Sequence, residues 1–202
     1  KMMTGEPALP EDPPLELLRA ESAHCTACPL AARKTGTFHG EGVPGATVLV
    51  VAPPPHPVSA PDPSPSFSGA CGALLLKMLS AINLSRHDLF LTHAARCGTA
   101  AGPPPGGEAA PCLALLERET ALVAPRLVLA LGTAAGSLLA GEPLALPACR
   151  GRWFSFRGLP LAVIRHPEEL LADPSLKREA WEDLQVIGRA LAGTGAEHRA
   201  DP

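Results

Sequence analysis

Four short, continuous apolar runs, each followed by a loop-forming segment, constrain the fold of this 202-residue chain more than any other feature. They are ATVLVVA at 46–52, HDLFLTHAA at 87–95, PRLVLALG at 125–132 and LPLAVIRHP at 159–167. Runs rich in aliphatic and β-branched residues are typical of strands that are buried on both faces of a parallel sheet. We therefore expect a strand at each of these four positions.

Segments with helical spacing flank and separate these runs. They are LELLRAESAHC at 15–25, GACGALLLKMLSAINL at 69–84, CLALLERETALVA at 112–124, TAAGSLLAG at 133–141, which Thr133 would cap, and PSLKREAWEDLQVIGRALAG at 174–193. The alternation predicts an α/β fold, a three-layer α/β/α sandwich around a central four-stranded, mostly parallel sheet. Ligands of such sheets bind at the carboxyl ends of the strands. The candidate site therefore lies in the loops after Ala52, His93, Gly132 and Ile164.

The length fits one domain, which we place at residues 15–192, between a flexible, proline-rich N-terminus at 1–14 and a flexible tail at 193–202. The first residues lack the apolar run of a secretory signal, and no stretch reaches the roughly 18 apolar residues of a membrane span. We therefore expect a cytoplasmic protein without membrane contact.

The formal net charge of −3 excludes the strongly basic character of many nucleic-acid-binding proteins. DNA binding would need a local patch. The C-terminal region offers one, formed by Arg150, Arg152 and Arg165 with Arg157 close in sequence. The alternative is scattered, solvated charge without a common role.

The six cysteines raise a second question. Cys25 and Cys28 form a C-x2-C pair, and Cys97 and Cys112 flank a loop rich in glycine and proline. A C-x2-C pair is compatible with a disulfide, a redox dithiol or half of a metal site, and a reducing compartment disfavours the disulfide. Four thiolates bind either zinc or an iron–sulfur cluster, so the spacing leaves both open.

Several stretches together resemble one known family. They are CTACPLAARKTGTFHGEG at 25–42, SFSGACGALLLKML at 66–79, LTHAARC at 91–97, the run at 111–139, RGRW at 150–153 and RHPEELL at 165–171. Their order and spacing are similar to those of the iron–sulfur uracil-DNA glycosylases, family 4 of the uracil-DNA glycosylase superfamily. The resemblance spans about residues 15–192. It implies a 4Fe-4S cluster, whose ligands would be Cys25, Cys28, Cys97 and Cys112.

The resemblance also implies roles at the carboxyl ends of the strands. Phe67 would stack on a base flipped out of DNA, His93 would contact the edge of that base, and His166 would stabilise the departing base. Ala52 and Pro53, in the first loop, would complete the base-binding pocket.

The first loop departs from the family pattern. The family has Gly-Glu-x-Pro-Gly there, and its glutamate helps to activate water, whereas this chain has VAPPPHP at 51–57. Proline removes backbone donors and forbids positive φ, so the loop cannot keep the shape that the family uses. His56 places a titratable group near the lost acid and could orient water in its stead. His93 stands where the family has asparagine, and one imidazole nitrogen cannot donate and accept at once.

The loop after His166 departs as well. Leu170 and Leu171 could wedge into a base stack as the family's loop does, but Glu168 and Glu169 replace the small and aromatic residues expected before them. Carboxylates near DNA phosphates are unfavourable, so this substitution argues against ordinary DNA engagement.

Two functions from different classes remain open. The first is a divergent DNA glycosylase that excises uracil or another altered base, with uracil-containing or single-stranded DNA as its partner. The second is a catalytically inactive relative that serves as a DNA- or protein-binding subunit of a repair or replication assembly. Either would be associated with the nucleoid. A zinc-binding module without a DNA role is a third reading.

Overall fold

The four apolar runs form the parallel part of a five-stranded sheet in the computed structural model, which describes residues 13–54, 67–99 and 110–193. Two short strands form a separate sheet. In chain order the strands are β1 Lys34–Thr37, β2 Val48–Ala52, β3 Leu89–His93, β4 Cys97–Thr99, β5 Leu127–Leu131, β6 Trp153–Phe156 and β7 Leu159–Ile164.

The large sheet has the strand order β3-β2-β5-β7-β6. Adjacent strands among β3, β2, β5 and β7 are parallel. Every residue of β2, β3 and β5 is buried. A strand that is covered on both faces needs apolar side chains at successive positions, because successive side chains point to opposite faces. The prediction of a mostly parallel sheet built from these runs is confirmed.

The prediction of four strands is wrong, because the sheet has a fifth, β6, that the apolar pattern does not reveal. It pairs antiparallel with β7 through a turn at Arg157 and Gly158, whose φ values are 50° and 82°. It lies at the edge of the sheet, and only Phe156 of its four residues is buried. A half-covered edge strand does not need a continuous apolar run, so the sequence carries little signal for it.

Helices cover both faces of the large sheet. They are α1 Pro13–Ala23, α2 Gly69–Ser80, α3 Ala110–Val123, α4 Gly132–Ala140, α5 Leu146–Cys149, α6 Pro167–Ala172 and α7 Lys177–Ala192, with 3-10 turns at Pro29–Arg33, Arg86–Asp88 and Pro174–Leu176. The helices α1, α3, α4 and α5 contribute to the apolar core on one face, and α2 and α7 contribute to the core on the other. The predicted three-layer α/β/α architecture is confirmed, and apolar burial in two cores stabilises it.

The small sheet joins the two cysteine segments. β1 pairs antiparallel with β4, so that Thr37 lies opposite Cys97. The 3-10 turn that begins directly after Cys28 leads into β1. The segment that follows the first cysteine pair is therefore fixed to the strand that carries the third cysteine.

Three smaller predictions have different outcomes. The helix after β5 begins at Gly132 and has no side-chain cap, so the prediction that Thr133 caps it is wrong. The predicted flexible ends, 1–14 and 193–202, lie almost entirely outside the described residues, and Pro13 and Pro14 belong to α1. Among the helices of the described ranges, none has the length and apolarity that crossing a bilayer requires.

Candidate active site

The loops after β2, β3, β5 and β7 leave the parallel sheet at one edge. Ala52 pairs with His93 in register, and Leu131 pairs with Ile164, so the four strands end at the same height. Ligands of parallel sheets bind at this edge. The predicted residues that the structure brings to it are Ala52, Pro53, Phe67, His93 and His166. His56 lies outside the described residues.

Three rings meet at this edge, and we call Phe38, Phe67 and His93 the aromatic trio. The centroid of the His93 ring lies 5.4 Å from that of Phe38 and 5.0 Å from that of Phe67. Phe38 follows β1 and is not among the residues that the sequence predicts for the site; its one signal is its place in the stretch TFHGEG. A side chain at Gly98 would overlap the Phe38 ring. The small sheet therefore supplies one wall of the site.

The imidazole of His93 is committed to the first loop. It is buried, with 1% of its surface exposed, and its Nδ1 lies 2.8 Å from the carbonyl oxygen of Pro53. Because a carbonyl oxygen only accepts, Nδ1 carries the proton, and Nε2 of the neutral ring carries none. Burial lowers the pKa of His93 to about 4, against the opposing effect of the hydrogen bond to Pro53. The ring is therefore neutral at pH 7, and its contact with a base stays a prediction.

His166 has the opposite tautomer. It follows β7 as the N-cap residue of α6, and its Nδ1 accepts a hydrogen bond from the backbone N–H of Glu168 at 3.3 Å. The proton of the neutral ring therefore lies on Nε2. A charge on His166 would lower the pKa of His93, so the two rings lie within electrostatic range of each other. The site thus holds one imidazole that donates into the protein and a second whose donor is the other nitrogen.

The structure places Leu170 and Leu171 in the helix α6 rather than in the predicted loop, and only one of them lies at the surface. Leu170 is 1% exposed, whereas Leu171 is 43% exposed. Insertion into a base stack needs an exposed apolar side chain. Leu171 meets this condition, whereas Leu170, on the same helix, is buried in the interior.

The predicted arginine patch is largely paired within the protein. The Arg150 guanidinium lies 3.2 Å from the Asp183 carboxylate, and that of Arg165 lies 3.0 Å from Glu179; both acids are on α7. Arg152 is exposed, and its guanidinium lies 5.3 Å from the centre of a phenylalanine ring. Of the three arginines, Arg152 is therefore the best placed to meet a phosphate. DNA binding by this patch stays a prediction.

The four cysteines of the predicted metal site lie near one another. Cys97 on β4 and Cys112 on α3 are buried, and Cys25 and Cys28 are partly exposed. Burial raises the pKa of Cys97, and the thiols of Cys112, Cys28 and Cys25 raise it further. All six cysteines are free, so the disulfide alternative is wrong. Within residues 13–54, 67–99 and 110–193, no three His, Cys, Asp or Glu side chains lie close enough to hold a single metal ion.

The cysteine site continues into a buried ion pair. Arg96 and Glu119 are each 4% exposed, and their charged atoms lie 2.6 Å apart. A second nitrogen of the Arg96 guanidinium donates to Thr92 Oγ1 at 2.7 Å. A hydrogen bond from the backbone of Arg96 lowers the pKa of Cys112, although burial raises that pKa more. The residue before the third cysteine therefore contacts the fourth, and sequence patterns gave no sign of its pairing with Glu119.

One family and several curated proteins are similar to this chain. Residues 39–185 match the family described as the uracil DNA glycosylase superfamily. The chain is 27% identical over 197 residues to a Type-4 uracil-DNA glycosylase of Pyrobaculum aerophilum, which covers 93% of this chain and 98% of that protein. It is also 27% identical over 176 residues to a Type-4 uracil-DNA glycosylase of Thermotoga maritima, with 85% and 91% covered. The region that matches the family contains β2 to β7 and includes Phe67, His93 and His166.

The buried state of His93 predicts a specific pH dependence of stability. Its pKa of about 4 in the folded protein lies below the ordinary value of 6.5, so the unfolded chain takes up the proton first. The neutral His93 ring therefore contributes to the free energy of unfolding in full above pH 6.5, and this contribution is lost as the pH falls towards 4. Between about pH 7.5 and 4.5, the wild type should lose about 2 to 3 kcal/mol more stability than His93→Asn. Urea unfolding at each pH measures this loss.

The control is His87→Asn, at an exposed position, whose stability should follow that of the wild type with pH. Parallel curves of stability against pH for wild type and His93→Asn would contradict the assignment.

The ion pair predicts a large, asymmetric mutational effect. Arg96→Met leaves the Glu119 carboxylate buried without its cation, which should cost about 3 to 5 kcal/mol in urea unfolding. The double variant Arg96→Met/Glu119→Leu should recover much of that loss, because neither charge remains. Arg118→Met, in the exposed pair with Glu21, should change stability little. An Arg96→Met variant as stable as Arg118→Met would show that the pair does not anchor the fold.

Proposed function

The chain belongs to the uracil DNA glycosylase superfamily, and we propose that it is a uracil-DNA glycosylase-like protein of DNA repair that excises uracil or another altered base from DNA. The observation that carries this proposal is the meeting of Phe67, His93 and His166 at the carboxyl edge of the sheet. A base-excision site needs an apolar face, polar contacts at the base edge and a donor for the departing base, and these three side chains supply such groups.

The site suits the departure of a base from its sugar. The reaction breaks the bond between the base and C1′ through a transition state with oxocarbenium character, after the nucleotide has been flipped out of the stack. Phe67 offers its ring as the face for the base. The Nε2–H of His166 can donate to a carbonyl oxygen of the base, on which negative charge develops. Water then adds to C1′, and one of its protons ends on the released base.

Activation of that water is where this chain differs from its family. Ala52, Pro53 and Pro54 carry no carboxylate, and the Pro53 carbonyl already accepts a hydrogen bond from His93. The His166 donor would therefore supply a larger share of the rate enhancement than in a relative with that carboxylate. His56 is proposed to orient the water. We expect excision to be slower than in a relative that has a carboxylate in this loop.

We propose a 4Fe-4S cluster on Cys25, Cys28, Cys97 and Cys112. The other three thiols raise the pKa of Cys97, yet among the described residues no three side chains lie close enough to hold one metal ion. This arrangement is compatible with a cluster, in which each sulfur binds its own iron atom. One zinc ion would need all four sulfurs at about 2.3 Å. The hydrogen bond from Arg96 to Cys112 is also of a kind that tunes cluster ligands. The cluster's role would be structural, since it would join the segment between α1 and β1 to β4 and α3.

A second candidate function is a non-catalytic subunit that binds DNA or a protein in a repair or replication assembly, close to the nucleoid. The observation that favours it is that several polar groups of the site already bind other groups of the protein. The Nδ1–H of His93 donates to the Pro53 carbonyl. Of the three arginines in the predicted patch, Arg150 and Arg165 pair with acids on α7. Such a protein would bind DNA without cleaving the glycosidic bond.

A base-excision assay separates the two functions. The purified protein is incubated with single-stranded and duplex oligonucleotides that carry uracil, hypoxanthine or xanthine, and abasic sites are revealed by alkali. Under the first proposal, strand cleavage appears with at least one of these bases, and His166→Ala lowers its rate about 100-fold or more. His87→Ala, at an exposed histidine, should keep the wild-type rate. An electrophoretic shift without any cleavage would instead support the non-catalytic subunit.

The cluster predicts different fates for two cysteine variants. Cys112→Ala should lower the iron content per chain and the broad visible absorbance, and it should destabilise the fold, because ligation energy is folding energy at such a site. Cys71→Ala, at a partly exposed cysteine outside the set of four, should retain both iron and colour. Iron analysis and urea unfolding measure the two effects. A folded Cys112→Ala variant with unchanged iron would remove Cys112 from the ligand set.

A further inference from the structure

The carboxylate of Glu169 is occupied at both oxygens. Its Oε1 accepts the backbone N–H of His166 at 3.2 Å, and its Oε2 lies 3.4 Å from Nη1 of Arg165. The sequence alone suggests that this acid would repel DNA phosphates. In the structure, part of its charge is offset by Arg165, and the carboxylate faces the protein rather than standing as a bare surface charge.

Arg165 extends the contact to α7. Its Nη2 donates to Glu179 Oε2 at 3.0 Å, while only 14% of the side chain is exposed. A second arginine, Arg150, also approaches Glu179, with 3.6 Å between charged atoms. A continuous path of charged contacts therefore runs from α7 through Arg165 and Glu169 to the backbone of His166.

This path bears on the His166 ring through the backbone. The bond from the His166 N–H to Glu169 and the bond from the Glu168 N–H to His166 Nδ1 are the two halves of one capping arrangement at α6. The first bond ties the Glu169 side chain to the residue that precedes α6, and the second places the Glu168 N–H on the His166 ring. Gly132 packs behind both groups, since an added Cβ there would lie 3.5 Å from His166 Cβ and 3.7 Å from Glu169 Oε1.

We propose that Glu169 is a positioning residue that, held by Arg165 and Glu179, fixes His166 in the tautomer with its proton on Nε2. The backbone N–H of Glu168 occupies Nδ1 in this state, so the imidazole can serve the site as a hydrogen-bond donor through Nε2. The use of that donor on a departing base rests on the proposed function, whereas the choice of tautomer does not. Glu169 itself touches no reacting atom; it acts through His166.

The tautomer is measured directly by NMR of imidazole ¹⁵N in the metal-loaded protein near pH 8, above the ordinary pKa of an imidazole. The wild type should show the nitrogen shifts of one tautomer, with Nε2 protonated. Glu169→Ala removes the acceptor and the charge, and it should give averaged shifts of a mixture of tautomers. Glu169→Gln keeps an acceptor oxygen but not the charge that Arg165 contacts, so its shifts should lie between the two.

Glu182→Gln is the matched control. Glu182 also lies on α7 and contacts Arg150, but no contact joins it to Arg165, Glu169 or His166 among the described residues. Its variant should keep the tautomer of the wild type. Wild-type shifts in Glu169→Ala would overturn the proposal. Should that variant fail to fold, Glu169→Gln and Glu179→Gln carry the test, and wild-type shifts in both would overturn it equally.

A second readout links the tautomer to activity. If uracil excision is found, Glu169→Ala should lower its single-turnover rate about tenfold or more, because a misplaced donor loses transition-state stabilisation, while substrate affinity changes less. An altered tautomer with an unchanged rate would overturn the link between the two. If no excision is found in the wild type, the proposed function fails, while the ¹⁵N shifts still decide whether Glu169 fixes His166.

Discussion

A buried ion pair between Arg96 and Glu119 anchors the segment that lies between the aromatic trio and the four cysteines of the predicted metal site. Taking two charges out of water is costly, and a separation of 2.6 Å together with the bond to Thr92 offsets that cost. The backbone of Arg96 is used as fully as its side chain. Its carbonyl accepts the N–H of Phe38 at 2.7 Å, and the residue bonds the sulfur of Cys112. One residue therefore joins the aromatic trio to the cysteine site.

The two histidines at the carboxyl edge are governed by backbone groups of opposite polarity. A carbonyl oxygen faces Nδ1 of His93, and a backbone N–H faces Nδ1 of His166. The same side chain therefore becomes an inward donor in one place and a donor through Nε2 in the other. The first arrangement ties His93 to the loop after β2. The second leaves the proton of His166 on Nε2, where the proposed function requires a donor for the departing base. The hydrogen-bonding role of each histidine is therefore set by the backbone group that it meets.

The charged residues near His166 have partners that the sequence alone does not reveal. The sequence suggests two opposing effects on DNA binding: attraction by a basic patch that includes Arg150 and Arg165, and repulsion by Glu168 and Glu169. The structure pairs Arg165 with Glu169 and Glu179, so these charges act first on the protein itself. Leu170 and Leu171 are equally apolar in sequence, yet only Leu171 is exposed, because the turn of α6 directs one inward and the other outward. Phe38 was missed for a related reason, since the strand that precedes it has no apolar run.

The sequence by itself determined the parallel sheet, its covering helices and the edge at which the site lies. Burial on both faces and helical spacing are properties of each segment's own residues and need no partner to be recognised. Only the tertiary structure decided the edge strand β6, the small sheet, the pairing of Arg96 with Glu119 and the tautomers of the two histidines. Each of these depends on groups from separate segments of the chain coming within hydrogen-bonding distance, and local patterns do not encode that proximity.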